Sequence, residues 1–213
     1  MKLIYIYDAL CGWCYGFTPV VQQLQQLRPE MEFEVLSGGM ILGANKRPWS
    51  AMHAYIMQAH KSVEDTTGVK FGEAFLNGLL TSSEKMDSEI PGIALTVFKT
   101  YQPEKALDFA HDMQVALNYN GENLSEDETY RKLVEKYNIP AEEFLQKLHD
   151  ESFRYETQQE FQMIQNWGIT GFPAAILDLG NGGQLYLCAK GYTSLDRLQQ
   201  TIENIIAESK RQQ

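Results

Sequence analysis

Cysteine is scarce in this chain, with three in 213 residues. Three cysteines cannot build the disulfide framework that staples a small secreted domain. Long apolar runs are also missing. The run that opens the chain, Leu3 to Tyr7, stops at Asp8 after five residues. It is too short for a signal-peptide core, and no small-residue cleavage site follows. No run approaches the ~18 apolar residues of a membrane span. The expectation is a soluble cytoplasmic protein without a membrane partner. Positive charge is in deficit: 18 Lys and Arg against 28 Asp and Glu give a net charge of −10. With no basic block, that balance argues against nucleic acid and anionic membrane surfaces as partners. There is no internal repeat and no low-complexity tract.

What is present suits one domain, or one domain carrying a large insertion. Residues 2–7 (KLIYIY) are β-branched and aromatic and predict a buried strand. From Cys14 to Leu27, Phe17, Val20, Val21, Leu24 and Leu27 recur at helical spacing, with Pro19 inside and Pro29 beyond the end. Residues 31–36 alternate and predict a second strand, parallel to the first if the crossover is right-handed. From about 45 to 150 the pattern is helical throughout. Helices are predicted over 51–61, 71–80, 93–101, 104–117, 126–137 (with Ser125 as N-cap) and 142–148. A helix over 152–167 then leads into Gly171-Phe172-Pro173, a strand over 174–179, a Gly180-Asn181-Gly182-Gly183 turn, a return strand over 185–189, and a last helix capped by Ser194.

The order is β-α-β, a block of helices, then α-β-β-α. With the block removed it is a thioredoxin fold: an α/β domain on a small mixed sheet, formed by residues 1–44 and 151–213, with 45–150 as an all-helical insertion. The run Asp8-Ala9-Leu10-Cys11-Gly12-Trp13-Cys14-Tyr15-Gly16-Phe17, together with Gly171-Phe172-Pro173, resembles the DsbA-like thiol–disulfide oxidoreductases. It is most similar to their cytoplasmic FrnE-type branch, related to kappa-class glutathione transferases and hydroxychromene-carboxylate isomerases. The resemblance covers essentially the whole chain.

Two cysteines three apart at the start of a helix have a specific chemistry. The first sulfur lies beside backbone N–H groups that have no helical partner, and the helix dipole favours negative charge there. The thiolate is the nucleophile in disulfide exchange. Cys11, expected at an exposed helix tip, attacks a substrate disulfide. Cys14, one turn in and more buried, resolves the mixed disulfide. Gly12 and Trp13 add no ionisable group. In a reducing cytoplasm the pair is not a structural staple. A zinc site would need two further ligands, and the remaining candidates, Cys188 and the four histidines His53, His60, His111 and His149, show no short paired spacing with a cysteine.

In the family that the chain resembles, the counterpart of Pro173 is cis and its loop faces the sulfurs. The resemblance implies that the backbone of Phe172 binds an extended peptide or glutathione as an added strand does, with the Phe172 ring shaping the pocket. From the residues alone, a trans proline opening a strand is equally compatible. Asp8 either relays protons to Cys14 or caps the turn after the first strand, and capping is the commoner role. Trp13, Tyr15 and Phe17 are expected to form an aromatic rim, with Trp13 the most exposed. Trp49 and Trp167 are expected in the core. His53 and His60 share a helix face and read as ordinary surface or core residues. Cys188 reads as a small buried hydrophobe.

These readings imply protein dithiols, protein disulfides or glutathione as partners, and no bound cofactor, the thiol co-substrate being supplied in trans. Two other functions fit the same fold. One is a glutathione-dependent transferase or isomerase, in which the first cysteine position is commonly a serine. The other is a non-enzymatic adaptor that uses the fold as a docking surface.

Overall fold

The computed structural model describes residues 1–180 and 183–211. Four strands form one sheet: β1 (Lys2–Tyr7), β2 (Glu32–Ser37), β3 (Ala174–Asp178) and β4 (Leu185–Lys190), in the order β2-β1-β3-β4. β2 runs parallel to β1, with Tyr5 opposite Val35, and β3 runs antiparallel, with Ile4 opposite Ile176. β4 returns antiparallel to β3. Of the turn expected between β3 and β4, Asn181 and Gly182 lie outside the described residues.

Helix α1 (Gly12–Leu27) joins β1 to β2 and runs on through Pro19. α2 (His53–Thr67), α3 (Glu89–Lys99), α4 (Ala106–Asn118), α5 (Asp127–Glu135) and α6 (Ala141–Leu148) follow β2. α7 (Glu151–Asn166) precedes β3, and α8 (Leu195–Arg211) follows β4. This is a thioredoxin-like sheet with a helical insertion.

Alternation along β1 divides the interior in two. Leu3, Tyr5 and Tyr7 face α1 and join a core cluster that continues through Phe17 into Phe98, Phe109 and Tyr130 of α3, α4 and α5. Ile4 and Ile6 face the other way, against Ile164 of α7, Leu36 and Ile176, with Trp167 half-buried beside them. The insertion and the sheet therefore share one core.

Three elements depart from the sequence pattern. Residues 71–80, expected as a helix, instead form a π-turn over Ala74–Gly78 and a 3₁₀ turn over Leu79–Thr81. Two glycines explain it. The Gly72 backbone lies so close to the Tyr119 carbonyl that a Cβ there would sit 1.8 Å from it, and Gly78 takes φ −105°, ψ −95°, outside the helical region. α3 begins at Glu89 rather than after Pro91-Gly92, because N–H groups of a first turn have no helical partner and Pro91 loses nothing there. Ser125 does not cap α5. Its N–H bonds to Asn123 Oδ1, and Glu126 is the N-cap residue.

Candidate active site

The site is built from the turn that joins β1 to α1. Asp8 ends the strand. Its carbonyl accepts from Cys11 N (3.1 Å) and its Oδ1 accepts from Leu10 N (3.0 Å), which closes the turn. Cys11 is the N-cap of α1, with extended backbone (φ −85°, ψ 113°). Its sulfur takes the place of the usual capping oxygen and accepts from Cys14 N at 3.3 Å. Across the site, Cys11 Sγ lies 3.6 Å from the Phe172 carbonyl oxygen. The Phe172–Pro173 peptide bond is cis.

Cys14 is fully buried. Burial, then the hydrogen bond and charge of Cys11, push its thiol well above the usual range. Below it lies a buried polar network. The Cys14 carbonyl accepts from Thr18 Oγ1 (2.9 Å) and Tyr5 OH (3.3 Å), and Thr18 Oγ1 also reaches Gln114 Oε1 of α4 at 2.7 Å.

Asp8 caps the turn, and it does more. Oδ1 also accepts from Ser88 Oγ at the start of α3 (3.0 Å), and Oδ2 accepts from Met40 N (2.7 Å). One fully buried carboxylate thus ties the redox turn, the loop after β2 and the helical insertion together. Desolvation raises its pKa against the pull of these donors.

Two expectations need correction. Cys11 is not an exposed helix tip: the residue is 7% exposed, covered by the Phe172 loop and the insertion, and opens onto a cavity instead of bulk solvent. The aromatic rim also reduces to Trp13, which is 36% exposed. Phe17 is in the core, and Tyr15 is buried between Phe71 and His111, with its hydroxyl donating to the Lys70 carbonyl. The insertion packs over α1 at Cys11 and Tyr15, whereas Phe17 turns to the sheet side, against Tyr5 of β1 and Tyr192.

The cavity holds about 290 Å³. Cys11, Gly12, Trp13 and Phe172 form one side. Ile56 and His60 of α2, with Phe71 and Phe75, form the other. Gly12 packs closely there: a Cβ would come 3.2 Å from the Phe71 ring. Gly38 serves Phe172, whose ring occupies the space a Cβ would take, 2.0 Å away. His60, unremarkable in the sequence, lines this cavity. His53 is half-buried on the same helix and does not line it. Trp49 is core and cavity wall at once. Cys188 is buried, and burial pushes its thiol up to about 12. Among the described residues, no group of three or more His, Cys, Asp and Glu is arranged to hold a metal ion. No described helix is long and apolar enough to cross a membrane.

Comparison with known proteins follows this geometry. A candidate protein disulfide isomerase from Nitrosomonas europaea superimposes with a TM-score of 0.84 at 26% identity, covering 97% of this chain and 98% of that one. The cytosolic disulfide reductase DsbM from Pseudomonas aeruginosa gives 0.79 at 22% identity, covering 97% and 99%. Its structure with GSH gives 0.75 at 21% identity, covering 97% and 100%. A 2-hydroxychromene-2-carboxylate isomerase has the same fold, with a TM-score of 0.67 at 13% identity and 100% and 97% coverage. No sequence among curated proteins matches. The model of the DSBA-like thioredoxin domain matches residues 2–203, nearly the whole chain, and the protein belongs to that family.

Proposed function

We propose that the protein is a thiol–disulfide oxidoreductase in which Cys11 is the nucleophile and Cys14 the resolving cysteine. The observation that carries the reading is the Cys11 sulfur as the N-cap of α1, with the Cys14 amide on it at 3.3 Å and the Phe172 carbonyl 3.6 Å across the site. The sulfur thus sits at the start of the helix and faces the loop where a substrate would lie, and the thiolate is the attacking form in disulfide exchange.

The Cys11 thiolate attacks one sulfur of a substrate disulfide. An S–S bond to Cys11 forms, the substrate bond breaks, and one substrate thiolate leaves. Cys14 then gives up its proton and attacks the Cys11 sulfur, which closes the Cys11–Cys14 disulfide and releases the second thiolate. The substrate gains two electrons and the protein loses two. In the opposite direction the same sulfurs oxidise a dithiol. Direction follows from the reduction potential and the thiol partner.

Burial holds Cys14 as the thiol until attack on Cys11 creates a demand for its anion. Asp8 is the nearest buried carboxylate, and its raised pKa suits it to accept that proton. The Phe172 backbone offers its carbonyl and N–H to an extended substrate, with Trp13 and Pro173 flanking it. Substrates are protein disulfides or dithiols, or a small thiol such as glutathione. The GSH-bound DsbM structure supports the small-thiol class.

Insulin reduction tests the reading: Cys11→Ser abolishes turnover, and a variant that keeps full activity refutes it. The likeness in fold to a 2-hydroxychromene-2-carboxylate isomerase supports a second reading, a glutathione-dependent isomerase, which needs no resolving thiol. Its activity survives Cys14→Ser, whereas dithiol exchange does not.

A further inference from the structure

The wall of the cavity beside Cys11 has an unusual composition for a thiol-exchange site. Six aromatic rings line it: Trp13, Trp49, Tyr55, Phe71, Phe75 and Phe172. Methionine side chains fill between them, and they adapt readily to an aromatic guest. No Asp, Glu, Lys or Arg lines it. Arg47 approaches the Met52 sulfur (3.9 Å) without lining the cavity. Two buried hydrogen-bonding side chains of the wall each turn one polar atom to the backbone of their own helix. His60 Nδ1 lies 3.0 Å from the Ile56 carbonyl, and Asn118 Nδ2 donates to the Gln114 carbonyl at 2.9 Å. The surface that lines the cavity is mostly apolar.

Size and charge narrow the occupant. At about 290 Å³ the cavity is at the small end for ligand sites, room for a group of side-chain size and not for a folded segment. Glutathione carries two carboxylates and an ammonium, and no charged side chain lines the wall to receive them. The chain as a whole, at −10, repels anions. A neutral aromatic ring loses nothing by desolvation there and gains edge and face contacts with the surrounding rings.

We propose that this cavity is a specificity site for a neutral aromatic group carried on the cysteine that becomes bonded to Cys11. The substrate class is then a disulfide of a small cysteine derivative or peptide bearing such a ring. The inference rests on the exchange reading above, with the same two steps and the same electron balance. The ring enters beside Cys11 while the substrate backbone meets Phe172. Trp13 and Tyr55, 36% and 65% exposed, stand at the mouth.

The test uses pre-reduced full-length protein in single turnover with three disulfides of similar intrinsic reactivity: that of N-acetylcysteine tyramide, that of N-acetylcysteine methylamide, and oxidised glutathione. The expected result is a second-order rate at least about tenfold higher for the tyramide than for the methylamide, with glutathione no faster than the methylamide. Two wall variants on α2, Ala59→Phe to fill the cavity and Ile56→Glu to charge it, bring the tyramide-to-methylamide ratio close to one. Circular dichroism identifies a variant that fails to fold, and the other then decides. Equal rates for tyramide and methylamide, or an unchanged ratio in a folded variant, overturn the specificity site and leave the exchange reading standing. Reaction with none of the three disulfides overturns both.

Discussion

The redox turn and the cavity wall meet at Cys11, yet they are held in opposite ways. Residues 8–14 are organised locally. The bonds Cys11 N to Asp8 O, Leu10 N to Asp8 Oδ1 and Cys14 N to Cys11 Sγ each span two or three residues. Beyond the turn itself, the wall is assembled from residues between 40 and 172, far apart in sequence, and is held by packing and by a few long-range bonds. A turn closed by its neighbours keeps its geometry when distant parts shift. A wall assembled at long range is where substrate choice can change without touching the chemistry. Asp8 is the joint between them, since the same carboxylate closes the turn and anchors Met40 and Ser88.

Breaking that joint has the largest expected effect on the comparison. Asp8→Ala leaves the donors of Leu10, Met40 and Ser88 unpartnered, at about 1–3 kcal/mol for each buried group, and lowers both stability and exchange rate. Chemical denaturation with an insulin assay measures the two together. Loss of one without the other separates turn from wall. Asp8→Asn sharpens the point through pH. The folded pKa of Asp8 is raised by desolvation, so the folded state binds this proton more tightly than the unfolded chain does. Its ionisation therefore opposes folding at neutral pH. The opposition is relieved as pH falls through the folded pKa and is gone below the unfolded value, near 4. Compared with Asp8→Asn, the wild type gains stability as pH falls from neutral to about 4. A flat difference contradicts the assignment.

Gly38→Ala acts on the wall alone. The new Cβ would sit 2.0 Å from the Phe172 ring, so the ring must move. A stability loss of about 1–3 kcal/mol is expected, with slower exchange and Cys11 alkylation still as efficient as in wild type. Slower alkylation of Cys11 contradicts the independence of the turn.

The smallest effect belongs to Cys188, which lies in neither region. Cys188→Ala leaves exchange unchanged, because burial keeps this thiol protonated to about pH 12. In the native wild type, maleimide labels Cys11 and spares Cys188. Rapid labelling of Cys188 contradicts a thiol held protonated to about pH 12.

The same division decides what can be read from sequence. The alternation of β1, the helical spacing of α1 and the strand–turn–strand pattern after Pro173 are local, and the structure has these elements within a few residues of the expected limits. The family resemblance on Cys11, Cys14 and Phe172-Pro173 agrees with the match over residues 2–203. Burial imposed from a distance is not legible. Tyr15 looks like part of a rim until Phe71 and His111 of the insertion pack against it, and Phe17 until its ring meets Tyr5 of β1 and Tyr192. The apolar spacing of 71–80 looks helical because the demand that the Tyr119 carbonyl makes on Gly72 lies 47 residues away. Nothing near His60 marks it as a wall residue, since what makes it one is Phe71 and the redox turn beyond.

The account's central claim is that Cys11 attacks and Cys14 resolves. The most direct measurement is intact-mass analysis of the Cys14→Ser protein, reduced and then exposed to a disulfide substrate. The account predicts a stable adduct of one substrate half, mapped by digestion to Cys11, at a site where the wild type shows only transient adduct. No adduct on Cys11, or an equal adduct on Cys188, contradicts it.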